Sequence, residues 1–331
     1  MSKPLSTLDF FEFQAFRTTT LQVAPLLVDA SEHSFALSLR RRFPEIPPST
    51  HFNAHYRCHV AEKFLTLNPL FSELKDQSIV SRGVRQTLSV LFSDAATHGF
   101  TVAIPSDVYP EYQRIAERAL CQIVHYDAQY GLAKPEVLEA ADVVLWCHPT
   151  KPWGDVETES QMSAMKAWLT KQATRRLWID SVYQPKLTQE LREWYDLGQT
   201  VCMTSLSKGW VEPLVAGIAF VPPQDANRFR LLFASLSKDE HSIRKAYAAL
   251  TEHSERPIEI QSVLLDLAKA RAAQLNDSLS FSGYFAISPH SAEWWLEQGV
   301  LVIPFSVFGS SGSGSIISSL QSLLMPSENY R

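Results

Sequence analysis

From about residue 77 onward, short apolar runs alternate with longer segments whose apolar positions recur at helical spacing. The runs are SIVS (78–81), FTVAIP (100–105), CQIVHY (121–126), DVVLWCHP (142–149), RLWIDS (176–181), TVCMTS (200–205) and GIAFVP (217–222). Near-continuous hydrophobicity of this length suits strands covered on both faces, and intervening stretches such as VRQTLSVLFSDAATH and PEYQRIAERAL suit crossover helices. The alternation predicts an α/β fold built on a mostly parallel, doubly wound sheet.

After Pro223 the texture changes. Helical stretches (ANRFRLLFASLSKDEHSIRKAYAALTEH, then IEIQSVLLDLAKARAAQL) precede SFSGYFAI, a helix around SAEWWLEQ, and GVLVIPFSVF. These predict a smaller α+β lobe. The expected division is a large ligand-binding domain over 45–223, with residues 1–44 as an N-terminal arm joined to 224–331 in the small domain. The cluster GSSGSGS (309–315) lies between apolar segments, so a tight ordered loop is expected there.

Composition removes several classes of function. With 331 residues, 45% hydrophobic, the chain can bury a large core. A net charge of -5 leaves no basic footprint for nucleic acid or an anionic membrane. Four scattered cysteines without a C-x-x-C pair suit reduced thiols in a cytoplasmic protein. The start, MSKPLSTLDFFEF, has no apolar core followed by a small-residue cleavage site, so neither a signal peptide nor a membrane span is expected.

In doubly wound sheets ligands bind at the carboxyl ends of the strands, which directs attention to the residues after each run. Ser81-Arg82-Gly83-Val84-Arg85-Gln86 opens a helix and offers backbone N–H groups and two arginines to an anion. Tyr109 follows FTVAIP, where a ring can lie against a flat ligand. His148-Pro149-Thr150-Lys151-Pro152-Trp153-Gly154 is a loop stiffened by two prolines. RLWID ends in Asp180, a buried acid that calls for a cation, with Tyr183 three residues on. TVCMTS runs into Ser205-Leu206-Ser207-Lys208. An anion cradle, a stacking ring, a carboxylate, a phenol and a lysine together match the requirements of pyridoxal phosphate.

The order and spacing of these parts resemble the fold type I pyridoxal-phosphate enzymes of the aspartate aminotransferase superfamily, in the compact branch that includes histidinol-phosphate aminotransferase. The resemblance spans roughly residues 45–320. It matches the family's Asn-Pro-x-x-Pro-x-Gly to the His148 loop, its Asp-x-x-Tyr to Asp180-Ser181-Val182-Tyr183, and its Ser-x-Ser-Lys to Ser205-Leu206-Ser207-Lys208. It implies Lys208 as the Schiff-base and proton-shuttling residue, Asp180 at the pyridine nitrogen, and Tyr183 and His148 near the ring oxygen. Tyr109 would stack on the ring, while Ser205, Ser207 and the Gly83-Val84-Arg85-Gln86 backbone would hold the phosphate. A homodimer with a shared active site is implied too, with Tyr56 a candidate contribution from the partner.

Three departures bear on the reaction. His148 stands in the asparagine position. Ala216 occupies the place of a phosphate-gripping arginine, leaving Arg82, Arg85 or a partner-supplied side chain. Ile317 stands about where relatives bind the substrate carboxylate, so either another arginine such as Arg17 takes over or the substrate carries no carboxylate there. The leading expectation is transamination of an amine or amino acid. The alternatives are a decarboxylase, lyase or cyclase with the same cofactor, and a degenerate relative that binds cofactor without turnover.

Overall fold

The structure, a computed structural model, describes residues 3–24, 26–31, 43–50, 56–150, 153, 157–184, 186–212, 214–236, 239–263, 266, 280–282, 285–310 and 312–318. The chain opens with α1 (Phe10–Val23), whose cap Asp9 accepts from the N–H groups of Phe11 and Glu12 while the Glu12 side chain reaches back to Asp9. The short β1 (Val28–Asp29) and α2 (Tyr56–Leu67) follow.

All seven predicted strands form. They are β2 (Ser78–Ser81), β3 (Thr101–Pro105), β4 (Gln122–Tyr126), β5 (Val143–Cys147), β6 (Arg176–Asp180), β7 (Thr200–Ser205) and β8 (Gly217–Phe220), hydrogen-bonded in the order β2-β8-β7-β6-β5-β3-β4. β8 is antiparallel to both neighbours, and the other pairs in the sheet are parallel. The chain between them runs through α3 (Val84–Thr97), α4 (Glu111–Arg118), α5 (Pro135–Glu139), α6 (Glu159–Lys171), α7 (Gln189–Asp196) and α8 (Leu206–Trp210). β5 is buried at every position, as a central parallel strand must be. The short α8 connection is too brief for a parallel crossover, so β8 returns beside β7 in the opposite direction.

Helices cover both faces of this sheet. On one face Phe92 of α3 packs edge-on against Trp178 of β6 at 5.3 Å, and on the other Trp194 of α7 packs against Trp146 of β5 at 5.5 Å. The strand order reverses between β3 and β5, which opens the crevice expected of such sheets at their carboxyl ends.

The helical run expected over 226–253 divides into α9 (Ala226–Ala234) and α10 (Glu240–Glu252). Asp239 starts the second helix because its carboxylate accepts the Ser242 N–H, a local bond that competes with helix continuation. Phe229, Phe233, Ile243 and Ala246 of these helices join the core of the large sheet.

A second core gathers Leu5, Leu8 and Phe13 from the start of the chain with Trp295, Ile316 and Ile317 from its end. Its sheet contains β9 (Ser280–Ser282), β10 (Phe285–Ser288), β12 (Ile303–Pro304) and β13 (Ser315–Ser318), antiparallel in the order β12-β13-β10-β9. α11 (Ala292–Glu297) and β11 (Val300–Leu301) intervene, and β11 pairs in parallel with β1. In the serine and glycine loop the expected tight packing is present: a Cβ at Gly309 would fall 2.8 Å from the Ser106 carbonyl oxygen, and one at Gly314 2.7 Å from that of Ser288.

Candidate active site

Four neighbouring parallel strands, β7, β6, β5 and β3, lead at their carboxyl ends to Lys208, to Asp180 and Tyr183, to His148 and to Tyr109 respectively. The turn between β2 and α3 folds over β8 to join them. Gly83, the cap of α3, has φ +111°, a value that strains any residue with a side chain. Opposite it, a Cβ on Gly217 would lie 2.8 Å from both Gly83 Cα and the Thr204 carbonyl oxygen. Two glycines therefore allow the α3 start to rest against the end of β7 beside Ser205. Bonds from Gly83 N–H to Ser81 Oγ (3.2 Å) and from Arg82 N–H to Gln86 Oε1 (2.9 Å) hold the turn. The first-turn N–H groups of Val84 and Arg85 belong to the set that no helical carbonyl serves, which suits an anion cradle.

Asp180 is 3% exposed and lies on the face of the sheet that α3 and α4 cover. Its Oδ2 accepts from the Tyr112 hydroxyl at 2.6 Å and its Oδ1 from the Val182 N–H at 3.1 Å. Burial raises its pKa to about 6, against the opposing effect of those two bonds. Both donors are neutral, so the pocket suits a cation supplied by a ligand. Tyr109 meets Tyr112 edge-on at 5.3 Å, and burial raises the pKa of its phenol too.

Lys208 sits in the five-residue α8, with its Nζ 5.7 Å from the centre of the Tyr183 ring. Tyr183 in turn meets Phe285 of β10 at 6.1 Å, so the small sheet borders the site at this point. Ser205 and Ser207, flanking Leu206, are half-buried on the same turn.

Other predicted residues are placed differently. The His148 ring packs 4.5 Å from Trp146 and has its Nε2 3.5 Å from Glu190, on the α7 face, whereas Asp180 uses the opposite face. Its buried Nδ1 has no hydrogen-bond partner among the described residues. Arg82 lies 3.8 Å from Asp239 and Arg85 3.9 Å from Glu111. Ala216 is fully buried, and its carbonyl accepts the Leu206 N–H at 3.0 Å. Arg17 is engaged by Asp29, with Nη2 to Oδ2 at 2.6 Å. Tyr56 begins α2, but its side chain lies outside the described residues, as do Lys151, Pro152 and Gly154 of the His148 loop.

The register of the small sheet refines the Ile317 position. Ile317 pairs with Ala286 and Ser315 with Ser288, and Ser288 Oγ accepts from the Trp295 indole at 3.1 Å, so this set faces α11. Phe285, Ile287, Ile316 and Ser318 form the opposite face, the one that meets Tyr183. None of the four is charged.

Tyr112 escaped the sequence reading as a site residue. The available signal was its position three residues after Tyr109, at a helix start that must face the next strand ends. Tyr112→Phe is expected to destabilise the cofactor-free protein by about 1.5–3 kcal/mol at pH 8, where Asp180 is ionised, and by less at pH 5. Denaturant titrations at the two pH values test this.

The donor set fits pyridoxal phosphate: a helix start for the phosphate, an aromatic ring, a buried carboxylate whose hydrogen-bond donors among the described residues are neutral, and a lysine just past the adjoining strand end. Residues 40–320 match the family model for aminotransferase class I and II. A search of curated protein sequences finds no match. Among solved structures, an aspartate aminotransferase double mutant from Thermus thermophilus superposes with a TM-score of 0.71 at 19% identity, covering 99% of this chain and 95% of that one. The aminotransferase AspB from Helicobacter pylori gives 0.70 at 16% identity, covering 97% and 95%. YbdL from Escherichia coli, described as having a methionine aminotransferase function, gives 0.72 at 14% identity, covering 98% and 97%. At such identities these structures establish the fold, and the family match carries the rest: the chain belongs to the class I and II aminotransferases, pyridoxal-phosphate-dependent enzymes.

Proposed function

We propose that this chain transfers the amino group of a small amine or amino acid, with Lys208 as the residue that holds the cofactor covalently. The observation that carries the reading is Asp180, a buried carboxylate reached by two neutral donors, on the strand next to the one that ends in Lys208. Bound there, pyridoxal phosphate supplies an electron sink for the pair left when the substrate carbon loses its proton. Asp180 keeps a proton on the ring nitrogen by its negative charge, and Tyr112 keeps Asp180 oriented. Lys208 Nζ would hold the cofactor covalently at rest and, during turnover, would act as the base that takes the proton from the substrate carbon. Tyr183 would donate toward the ring oxygen, Tyr109 would confine the ring, and Ser205, Ser207 and the Gly83-Val84-Arg85 backbone would bind the phosphate. His148, buried beside Trp146 on the α7 face, supports the strand end next to Asp180.

On the substrate side we propose an amine whose far end is apolar, because Phe285, Ile287, Ile316 and Ser318 form the neighbouring face and Arg17 is engaged by Asp29. We further propose the division into lobes at residues 45 and 223, with α9 and α10 as the bridge, a homodimer sharing the site, and a cytoplasmic setting. No helix among the described residues is long and apolar enough to cross a membrane.

The test is reconstitution with pyridoxal phosphate, borohydride reduction and location of the label by peptide mass, followed by a panel of amines and amino acids with a 2-oxo acid acceptor. Label on Lys208 and stoichiometric exchange of amino and oxo partners are expected, with simple amines used at least as well as their α-carboxylated counterparts. A preference above about 100-fold for the carboxylated compound would overturn the substrate proposal, since it corresponds to a charge-assisted contact that the apolar face lacks.

A further inference from the structure

The turn bearing Lys208 is braced from behind by α10. The Trp210 indole donates to the carbonyls of Ala249 and His253, at 3.0 and 2.9 Å, in the last turn of that helix. Two residues on, Glu212 is 1% exposed. Its Oε1 accepts from Lys245 Nζ at 3.0 Å, and its Oε2 lies 3.9 Å from Arg256 Nη2. Lys245 also reaches Glu45 at 2.9 Å, and Arg256 donates to the carbonyls of Pro44 and Phe43. Three chain segments thus meet at the Glu212 carboxylate.

The backbone of Glu212 closes the lysine turn itself. Its N–H donates to the Ser207 carbonyl at 3.1 Å, and the Val211 N–H donates to the Lys208 carbonyl at 3.2 Å. Between them Val211 has φ +48°, a left-handed conformation that a β-branched residue holds only where its surroundings impose it. A buried ion cluster is a poor way to gain stability, because apolar residues of similar volume hold a fold as well, but it fixes one register and one direction.

We infer that Glu212, gripped by Lys245 and Arg256, is a positioning residue that sets the left-handed turn at Val211 and so aims Lys208 past Tyr183 toward the cofactor ring. The inference rests on the reading of Lys208 as the attachment residue, and it concerns how that lysine is aimed.

The experiment compares cofactor-free wild type, Glu212→Gln and Glu212→Asp. Three quantities are followed: the rate at which added pyridoxal phosphate is captured, the visible circular dichroism of the bound cofactor, and the melting temperature. Glu212→Gln is expected to slow capture about tenfold and change the visible dichroism, with Glu212→Asp recovering part of both, as a displaced reacting group should. A Glu212→Gln protein that melts lower yet captures cofactor at the wild-type rate with unchanged dichroism overturns the inference, for the ion cluster would then be only structural. Where Glu212→Gln fails to fold, Arg256→Gln removes one of the two cations that grip Glu212, and an unchanged rate and spectrum there overturn the inference equally. A wild type that never carries label on Lys208 removes the functional reading and this inference together, and the wild-type trace alone tells that case apart.

Discussion

Lys208→Ala is expected to leave a folded protein that no longer retains pyridoxal phosphate after borohydride reduction and whose amino-transfer rate falls by at least about 10³-fold. The size follows from the two tasks placed on one nitrogen. Proton transfer by a positioned side chain is by itself worth about 10²–10⁴-fold, and the covalent hold that presents the cofactor is lost as well. Folding survives because the Lys208 side chain is only half-buried, while the turn's buried anchors, Leu206, Trp210 and Glu212, are untouched. Retention of labelled cofactor at full stoichiometry in the alanine variant would show that another amine is the attachment point.

Asp180→Asn should separate stability from activity. Burial penalises the charged form of the Asp180 carboxyl and pushes its pKa up from the ordinary value of 3.8 to about 6. Between those values the folded state binds more protons than the unfolded one, so the cofactor-free protein loses stability as pH rises through this window. The shift corresponds to roughly 3 kcal/mol. Asparagine carries no charge and still presents a carbonyl to the Tyr112 hydroxyl. The cofactor-free variant should therefore gain on wild type from pH 4 to pH 6 and keep that advantage above it, while turnover falls on the order of 10³-fold through loss of the charge opposite the ring nitrogen. Denaturation profiles at pH 4.5 and 7.5 decide the first part, and identical pH dependence in variant and wild type would refute it. Cofactor should narrow the stability gap, since a cation beside Asp180 offsets the cost of burying its charge.

Much of this arrangement was legible in the sequence because the large sheet writes its strands as apolar runs. The seven strands, the strand-end residues Asp180 and Tyr109, and the lysine turn all follow from those runs and from what each is followed by. Tyr112 was not legible, since nothing in the string separates a phenol that reaches across to β6 from one that packs its own helix. Glu212 and Lys245 were hidden for a related reason. They lie 33 residues apart, and a glutamate after a lysine turn reads as solvated until the fold buries it. His148 was found by position, but the alternation of the strand, which puts its ring on the α7 face, decides its contacts. At Ile317 the sequence alone could not set register, and a one-residue difference exchanges the face toward Tyr183 for the face toward α11.

The pairing of β1 with β11, together with the bond from Ser318 N–H to the Ala30 carbonyl at 2.7 Å, has a consequence for the order in which the molecule is built. On the ribosome, Val28 waits for Val300, which at about 5–20 residues per second means a delay of roughly 15–50 s. The large sheet is complete once Phe220 has emerged, so for roughly a quarter of that interval its strand ends stand uncovered, with Tyr183 not yet met by Phe285. The nascent enzyme is therefore open at the cofactor crevice for that stretch of its assembly, and the pairing of β1 with β11 comes only after the large sheet is complete.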